Sequence, residues 1–200
     1  MTSIDILVIG HLERGADGSV VPSGTWSTSS LVRTDDGHNI VVDTSQGYMG
    51  AGIRSSFKQI GRIFPEDVDT VVLTHGHPDH IGNLGLFRNA EVLKFSGGDP
   101  MDGVTLLDTE KEIAKGVRFV RTPGHTEDSG SLFVDADRRY ALVGDAVPLQ
   151  ENLEKKAVPA LNCDPDEAMA SMKRIVQYAD VVVPGHGKPF GISALKRLYK

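Results

Sequence analysis

Apolar residues along the chain fall into short runs bounded by Gly, Pro, Asn and Asp, broken by a few stretches in which they recur every three or four positions. The run Ile4 to Ile9 predicts a first strand. Leu31 to Arg33 and Ile40 to Asp43 predict a second and third, joined by the turn Asp35, Asp36, Gly37. From Gly50 to Gly61, Ile53, Phe57 and Ile60 share one face while Arg54, Lys58 and Arg62 share another, which predicts an amphipathic helix. After a turn at Pro65 and Glu66, Val68 to Thr74 reads as a strand, Ile81, Leu84 and Phe87 as a short amphipathic helix, and Ala90 to Phe95 as another strand.

Two or three short strands are expected between Val104 and Pro123, with Val117 to Arg121 the clearest. Ser131 to Val134 and Tyr140 to Val143 form a hairpin pattern, whereas Gln150 to Leu161 reads as charged and irregular. Asp164 as N-cap, Pro165 at the first helical position and Glu167 as capping partner predict a helix, with Ala168, Met172, Ile175 and Val176 on its apolar face. Val181 to Val183 predicts a last buried strand and Ile192 to Leu198 a C-terminal helix. The order of elements suggests two βα halves.

Composition narrows the class. With 200 residues, 40% hydrophobic and 24% charged, the chain is expected to form a single domain over residues 1–200 with an ordinary core. No run approaches the ~18 apolar residues of a membrane span, and the N-terminal stretch lacks the features of a signal peptide, so a cytoplasmic protein away from membranes is expected. A lone cysteine, Cys163, excludes disulfides within the chain and a zinc-finger framework. The net charge of -6 disfavours non-specific adhesion to nucleic acid. An oligomer is compatible with all of this.

Candidate chemistry concentrates in Thr74 to Asn83, THGHPDHIGN. Side chains two apart in an extended segment lean to the same side, so His75 and His77 can grip one ion. Pro78 ends the strand, and a turn into a helix brings Asp79 and His80 round together for a second ion. Imidazole and carboxylate suit zinc, and manganese or iron accept the same donors. Further ligand types stand just past predicted strands: His125 in TPGHTEDSGS, Asp145 in GDA and His186 in PGHGKP. A carboxylate such as that of Asp145 can bridge two metals, which a histidine cannot. Asp43, also at a strand end, is a candidate acceptor for the outer N–H of a ligating histidine, or else a turn or helix cap.

In that order, HxHxDH, a later GH, a later GD and a final GHG, the chain resembles the metallo-β-lactamase superfamily from Asp43 to His186. Within it, THGHPDHIGNLGLF and ADVVVPGHGKPF look like the small animal family of metallo-β-lactamase domain-containing protein 1, for which endoribonuclease activity has been proposed. The resemblance implies an α/β (α+β) fold, a four-layer αββα sandwich with metals in a cleft at the sheet edges. It implies that His75, His77 and His125 hold one metal, that Asp79, His80 and His186 hold the other, and that Asp145 bridges them with Asp43 in support. The cofactor expected is two Zn2+ per chain, with Fe or Mn possible.

The expected chemistry is hydrolysis. A hydroxide between two ions attacks the carbonyl or phosphorus of an ester, thioester or phosphodiester, while catalytic Asp79 orients it or takes its proton. No general acid is visible, which favours a good leaving group. Substrates are expected to be small molecules or nucleic acid. Two other readings stand beside this one: an endoribonuclease, whose track would be lined by Arg54, Lys58 and Arg62 or by Lys155 and Lys156, and a mononuclear iron persulfide dioxygenase using His75 or His77, His125 and Asp145. Substrate contacts are expected in the loops around Trp26, Tyr48 and Leu149, with Lys188 a cation placed beside His186.

Overall fold

A computed structural model describes all residues from Met1 to Lys200. The first half contributes strands β1 (Ser3–Val8), β2 (Ser29–Arg33) and β3 (Asn39–Val42), helix α1 (Gly50–Ile60), strand β4 (Thr70–Val72), helix α2 (Pro78–Ile81), and strands β5 (Glu91–Phe95) and β6 (Val104–Leu107). The second half adds β7 (Lys111–Ala114), β8 (Val117–Arg121), β9 (Gly130–Asp135), β10 (Arg139–Gly144), α3 (Gln150–Lys155), α4 (Pro165–Tyr178), β11 (Val181–Pro184) and β12 (Phe190–Gly191).

Each half builds one six-stranded sheet, in the orders β1-β2-β3-β4-β5-β6 and β12-β11-β10-β9-β8-β7. In the first sheet β3, β4, β5 and β6 run parallel, so β3, β4 and β5 all end at one edge. In the second, β10 and β11 run parallel.

Period-two alternation sorts the strand residues into layers. Ile40, Val42 and Val72 of the first sheet meet Phe119, Leu132, Val134, Leu142 and Val183 of the second in the buried layer between them. The alternate positions Val41 and Val71 pack outward with Ile53 and Phe57 of α1. In the second sheet Val120, Phe133, Ala141 and Val182 pack outward with Leu153 of α3 and Met172, Ile175 and Val176 of α4. The result is the expected four-layer αββα sandwich.

Three local expectations are corrected. The helix expected through Ile81, Leu84 and Phe87 is instead the single turn α2 followed by a separate 3-10 turn, Leu84–Leu86. Amides that would continue it are turned to the neighbouring loop, Gly82 N–H to the Ser45 carbonyl (2.9 Å) and Asn83 N–H to Thr44 Oγ1 (3.1 Å). Gln150–Lys155, expected to be irregular, is helical. One buried residue, Leu153, gives it no periodic signal, and the pairs Gln150–Glu154 and Glu151–Lys155 support it instead. The C-terminal helix expected from Ile192 is a turn that becomes a 3-10 helix only over Lys196–Tyr199.

Candidate metal centre

The ends of β3, β4, β8, β10 and β11 and their following loops bring all the expected site residues to one cleft between the sheet edges. His75, His77 and His125 form one group, His75, His80 and Asp145 a second, and Asp79, His80 and His186 a third, with the donor atoms of each within 4.8 Å of one another. His77 Nδ1 faces His75 Nε2 at 2.9 Å and His125 Nε2 at 3.1 Å. Asp145 reaches across, with Oδ1 3.5 Å from His80 Nε2 and 3.2 Å from His186 Nε2, and Oδ2 3.7 Å from His125 Nε2. Asp79 Oδ2 stands 3.6 Å from His186 Nε2 and 3.8 Å from His80 Nε2.

Close approaches of the loops depend on small residues. Gly144 has φ +49, and a Cβ there would lie 2.2 Å from Thr74 Oγ1. A Cβ at Gly185, beside His186, would lie 2.0 Å from Asp145 Oδ1. The glycines of the GD and GHG motifs are thus what let two loops of the second sheet close on the centre.

Hydrogen bonds behind the histidines fix which nitrogen looks inward. His125 Nδ1–H donates to the Leu161 carbonyl (2.7 Å) and His186 Nδ1–H to the Trp26 carbonyl (3.0 Å). His80 Nδ1–H donates to Asp43 Oδ2 (2.8 Å), and Thr74 Oγ1–H donates to the same oxygen (2.8 Å) while accepting from His75 Nδ1–H (3.2 Å). An imidazole that spends its N–H outward turns a bare lone pair inward, the form a metal requires. Asp43 therefore supports His80 directly and His75 through Thr74. It does so from a left-handed backbone, φ 54, unusual for a residue with a Cβ.

Metal ions fit this donor set. His80 Nε2 and Asp145 Oδ1 are buried with no hydrogen-bond partner, a costly state unless a cation meets them. Two ligands on a tetrahedral zinc with bonds near 2.0–2.1 Å lie about 3.3 Å apart, close to the separations within this cluster. Electrostatics agree. Burial opposes charge on Asp145, yet the facing His186 and His80 hold its carboxyl well below the ordinary carboxylate range. Burial also opposes protonation of His80, but Asp43 and Asp145 raise it well above the usual imidazole value. His75, buried against His80 and His125, is held well below that value. The cluster favours positive charge beside Asp145 and unprotonated nitrogen at His75, and divalent cations satisfy both.

A cavity of about 150 Å³ opens over the cluster, walled by Leu12, Val20, Pro148 and Leu161 and reached by Thr25, Asn152 and Arg14. Of the loops expected to contact substrate, those around Trp26 and Leu149 line the cavity and the one around Tyr48 does not. The Trp26 ring packs on His11 (5.1 Å) and edge-on to Tyr48 (6.2 Å), Tyr48 Oη donates to the Thr25 carbonyl, and Thr25 and Pro148, next in sequence to Trp26 and Leu149, line the cavity. Lys188 is exposed and lies outside it.

Sequence reasoning overlooked Lys94 and Asp128. Both are buried and paired at 2.7 Å, and Asp128 Oδ2 lies 3.5 Å from where a Cβ of Gly76 would stand, between the two loop histidines. A lysine inside the apolar strand EVLKF was the available signal, since a buried lysine demands a partner.

Comparison with known proteins agrees with the fold and places the chain in a family. The family model described as the metallo-beta-lactamase superfamily matches residues 25–94. Metallo-beta-lactamase domain-containing protein 1 of Mus musculus is 33% identical over 95% of this chain and 84% of its own length. A protein of Methanocaldococcus jannaschii described as a probable metallo-hydrolase is 36% identical over 74% of this chain and 70% of its own. The crystal structure of a metallo-beta-lactamase-type protein from Thermotoga maritima superposes with a TM-score of 0.76 over 95% of this chain and 99% of that one, at 22% identity. At greater distance, an N-acyl homoserine lactonase of Bacillus thuringiensis is 27% identical over 56% of this chain and 51% of its own. The chain belongs to the metallo-β-lactamase superfamily and is a hydrolase of that class. No helix is long and apolar enough to cross a membrane.

Proposed function

We propose that the chain is a binuclear metallo-hydrolase, with zinc in both positions, that cleaves a small-molecule ester, thioester or lactone. His75, His77 and His125 would hold one ion, Asp79, His80 and His186 the other, and Asp145 both. The observation that carries this reading is the buried pair His80 Nε2 and Asp145 Oδ1, which face each other at 3.5 Å and make no hydrogen bond. When bound, the ions supply Lewis acidity and lower the pKa of water toward neutrality.

The protein's own groups set the rest. Asp79 borders the cavity and can take the proton released as water adds to the carbonyl carbon. The carbon–oxygen or carbon–sulfur bond then breaks, and the same carboxyl can return that proton to the departing alcohol or thiol. No second proton donor is at hand, since Tyr48 Oη is engaged with the Thr25 carbonyl and the other titratable residues around the cavity are the cluster itself and Arg14. This favours a thiolate leaving group, or an alkoxide that a bound ion would stabilise, as the opening of a lactone would require.

Two alternatives fare less well. A mononuclear iron site on His75 or His77, His125 and Asp145 leaves His80 Nε2 buried and bare, and gives no role to the convergence of Asp79, His80 and His186. For the endoribonuclease reading, Arg62 lies in a depression with Arg33, Thr34 and Gly37 at the β2–β3 turn, the opposite end of the sheet from Asp43. Lys155 is paired with Glu151, and Lys156 sits over the Tyr199 ring. Arg62, Lys155 and Lys156 therefore do not support a basic track into the cleft.

A screen of thioester, lactone and phosphodiester substrates tests the reading. Zinc-loaded protein should turn over the first two classes in preference to the third, and His80→Ala or Asp145→Asn should each lower kcat/KM by about 100-fold or more. Wild-type rates in both variants would sink the two-ion account.

A further inference from the structure

The cavity over the cluster carries a single cation from a lysine or arginine, Arg14. Its acidic lining residues, Asp79 and Asp145, both turn toward the histidines. The ion pairs made by lysines and arginines of this chain all involve other residues. The one side-chain hydrogen bond of Arg14 runs from Nη1 to the Gly18 carbonyl at 3.0 Å, leaving Nε and Nη2 without protein partners.

The strap that carries Arg14 is laced down. A bridge joins His11 to Trp26 and another joins Arg14 to Val20, Val21 N–H donates to the Glu13 carbonyl (2.9 Å), and Gly15 N–H donates to the Ser19 carbonyl (2.9 Å). The Trp26 indole N–H donates to the Ile9 carbonyl (2.9 Å). Arg14 is thus held at the cavity wall by a hairpin with fixed register. The same cavity is also lined by apolar Leu12, Val20, Pro148 and Leu161, and Val20 and Leu161 keep 43% and 63% of their surface exposed.

Resting on the hydrolase reading above, we propose that Arg14 is a specificity-determining residue that selects substrates bearing a free carboxylate, joined to the scissile ester or thioester by a short apolar chain. A guanidinium edge with two free donors matches the two oxygens of a carboxylate. A phosphate dianion asks for further cations, which the cavity does not offer. The apolar wall takes the connecting chain, and the cluster takes the reacting carbonyl.

Binding of thiol probes tests this without turnover, because a thiolate is a zinc ligand in its own right. Zinc-loaded protein is titrated calorimetrically with ω-mercaptoalkanoates of graded chain length and with the matching primary amides, in wild type, Arg14→Met and Arg14→Lys. At one preferred length the carboxylate probe should bind about tenfold or more tightly than its amide in wild type. That ratio should fall to near one in Arg14→Met and lie between in Arg14→Lys. A carboxylate preference equal in wild type and Arg14→Met would be the attraction of the metals themselves and would overturn the assignment, as would no preference at any length. If neither probe series binds and zinc is not retained, the metal-centre reading falls and the Arg14 assignment with it.

Discussion

Asp43 shows how much rests on one side chain. Its carboxylate accepts from Thr74 N–H, Thr74 Oγ1–H and His80 Nδ1–H, each at 2.8 Å, and so aims two inward-facing imidazoles. Asparagine tolerates the left-handed backbone of this position, so Asp43→Asn removes charge and acceptor capacity with little added strain. Zinc affinity, measured by competition with a chromophoric chelator, should drop by roughly 10–100-fold. The buried pair Lys94–Asp128 predicts a different effect. Lys94→Met leaves the Asp128 carboxylate unpaired and should cost ~3–5 kcal/mol in urea unfolding, and adding Asp128→Leu should recover part of it. Equal stability of the single and double variants would show that Asp128 finds another partner.

At the scale of elements, strands were legible because those buried on both faces read as short unbroken apolar runs, as in Ile40 to Val42, where Val41 packs outward and Val42 inward. Helix α4 was legible from its cap, and Asp164 does accept from the amides of Asp166 and Glu167 at 2.9 Å. Elements made by tertiary contact were not. The break after Ile81 depends on carbonyl and hydroxyl groups of Thr44 and Ser45, far away in sequence, and α3 buries too little to leave a pattern. The C-terminal turn is tied down electrostatically. Lys196 and then Arg139 push the Asp180 carboxyl down to about 2 from 3.8. A carboxyl whose pKa is depressed by folding adds stability that is present above 3.8 and lost as pH falls toward 2. Because Asp180 is 36% exposed, solvent screens the pair, and the contribution should stay below about 1 kcal/mol. Urea midpoints taken between pH 5 and 2 should fall more steeply in wild type than in Asp180→Asn. Parallel curves would remove Asp180 from the account.

For the whole molecule, two sheets of consecutive strands, stacked face to face, place five strand ends around one cleft. The site residues could be read before the fold because metal donors come from a few ligand-type side chains, here gathered at strand ends, in the turn α2 and in loops punctuated by Gly and Pro. Arg14, by contrast, stands in a loop whose path is set by bridges that no local pattern announces. The central claim is that the cleft holds two ions. Metal content per chain, measured by mass spectrometry on protein grown with both zinc and iron and then on Asp145→Asn, tests it most directly. The account predicts about two zinc ions per chain and a clear loss of metal in the variant. A single iron per chain, retained without any second metal, would contradict it.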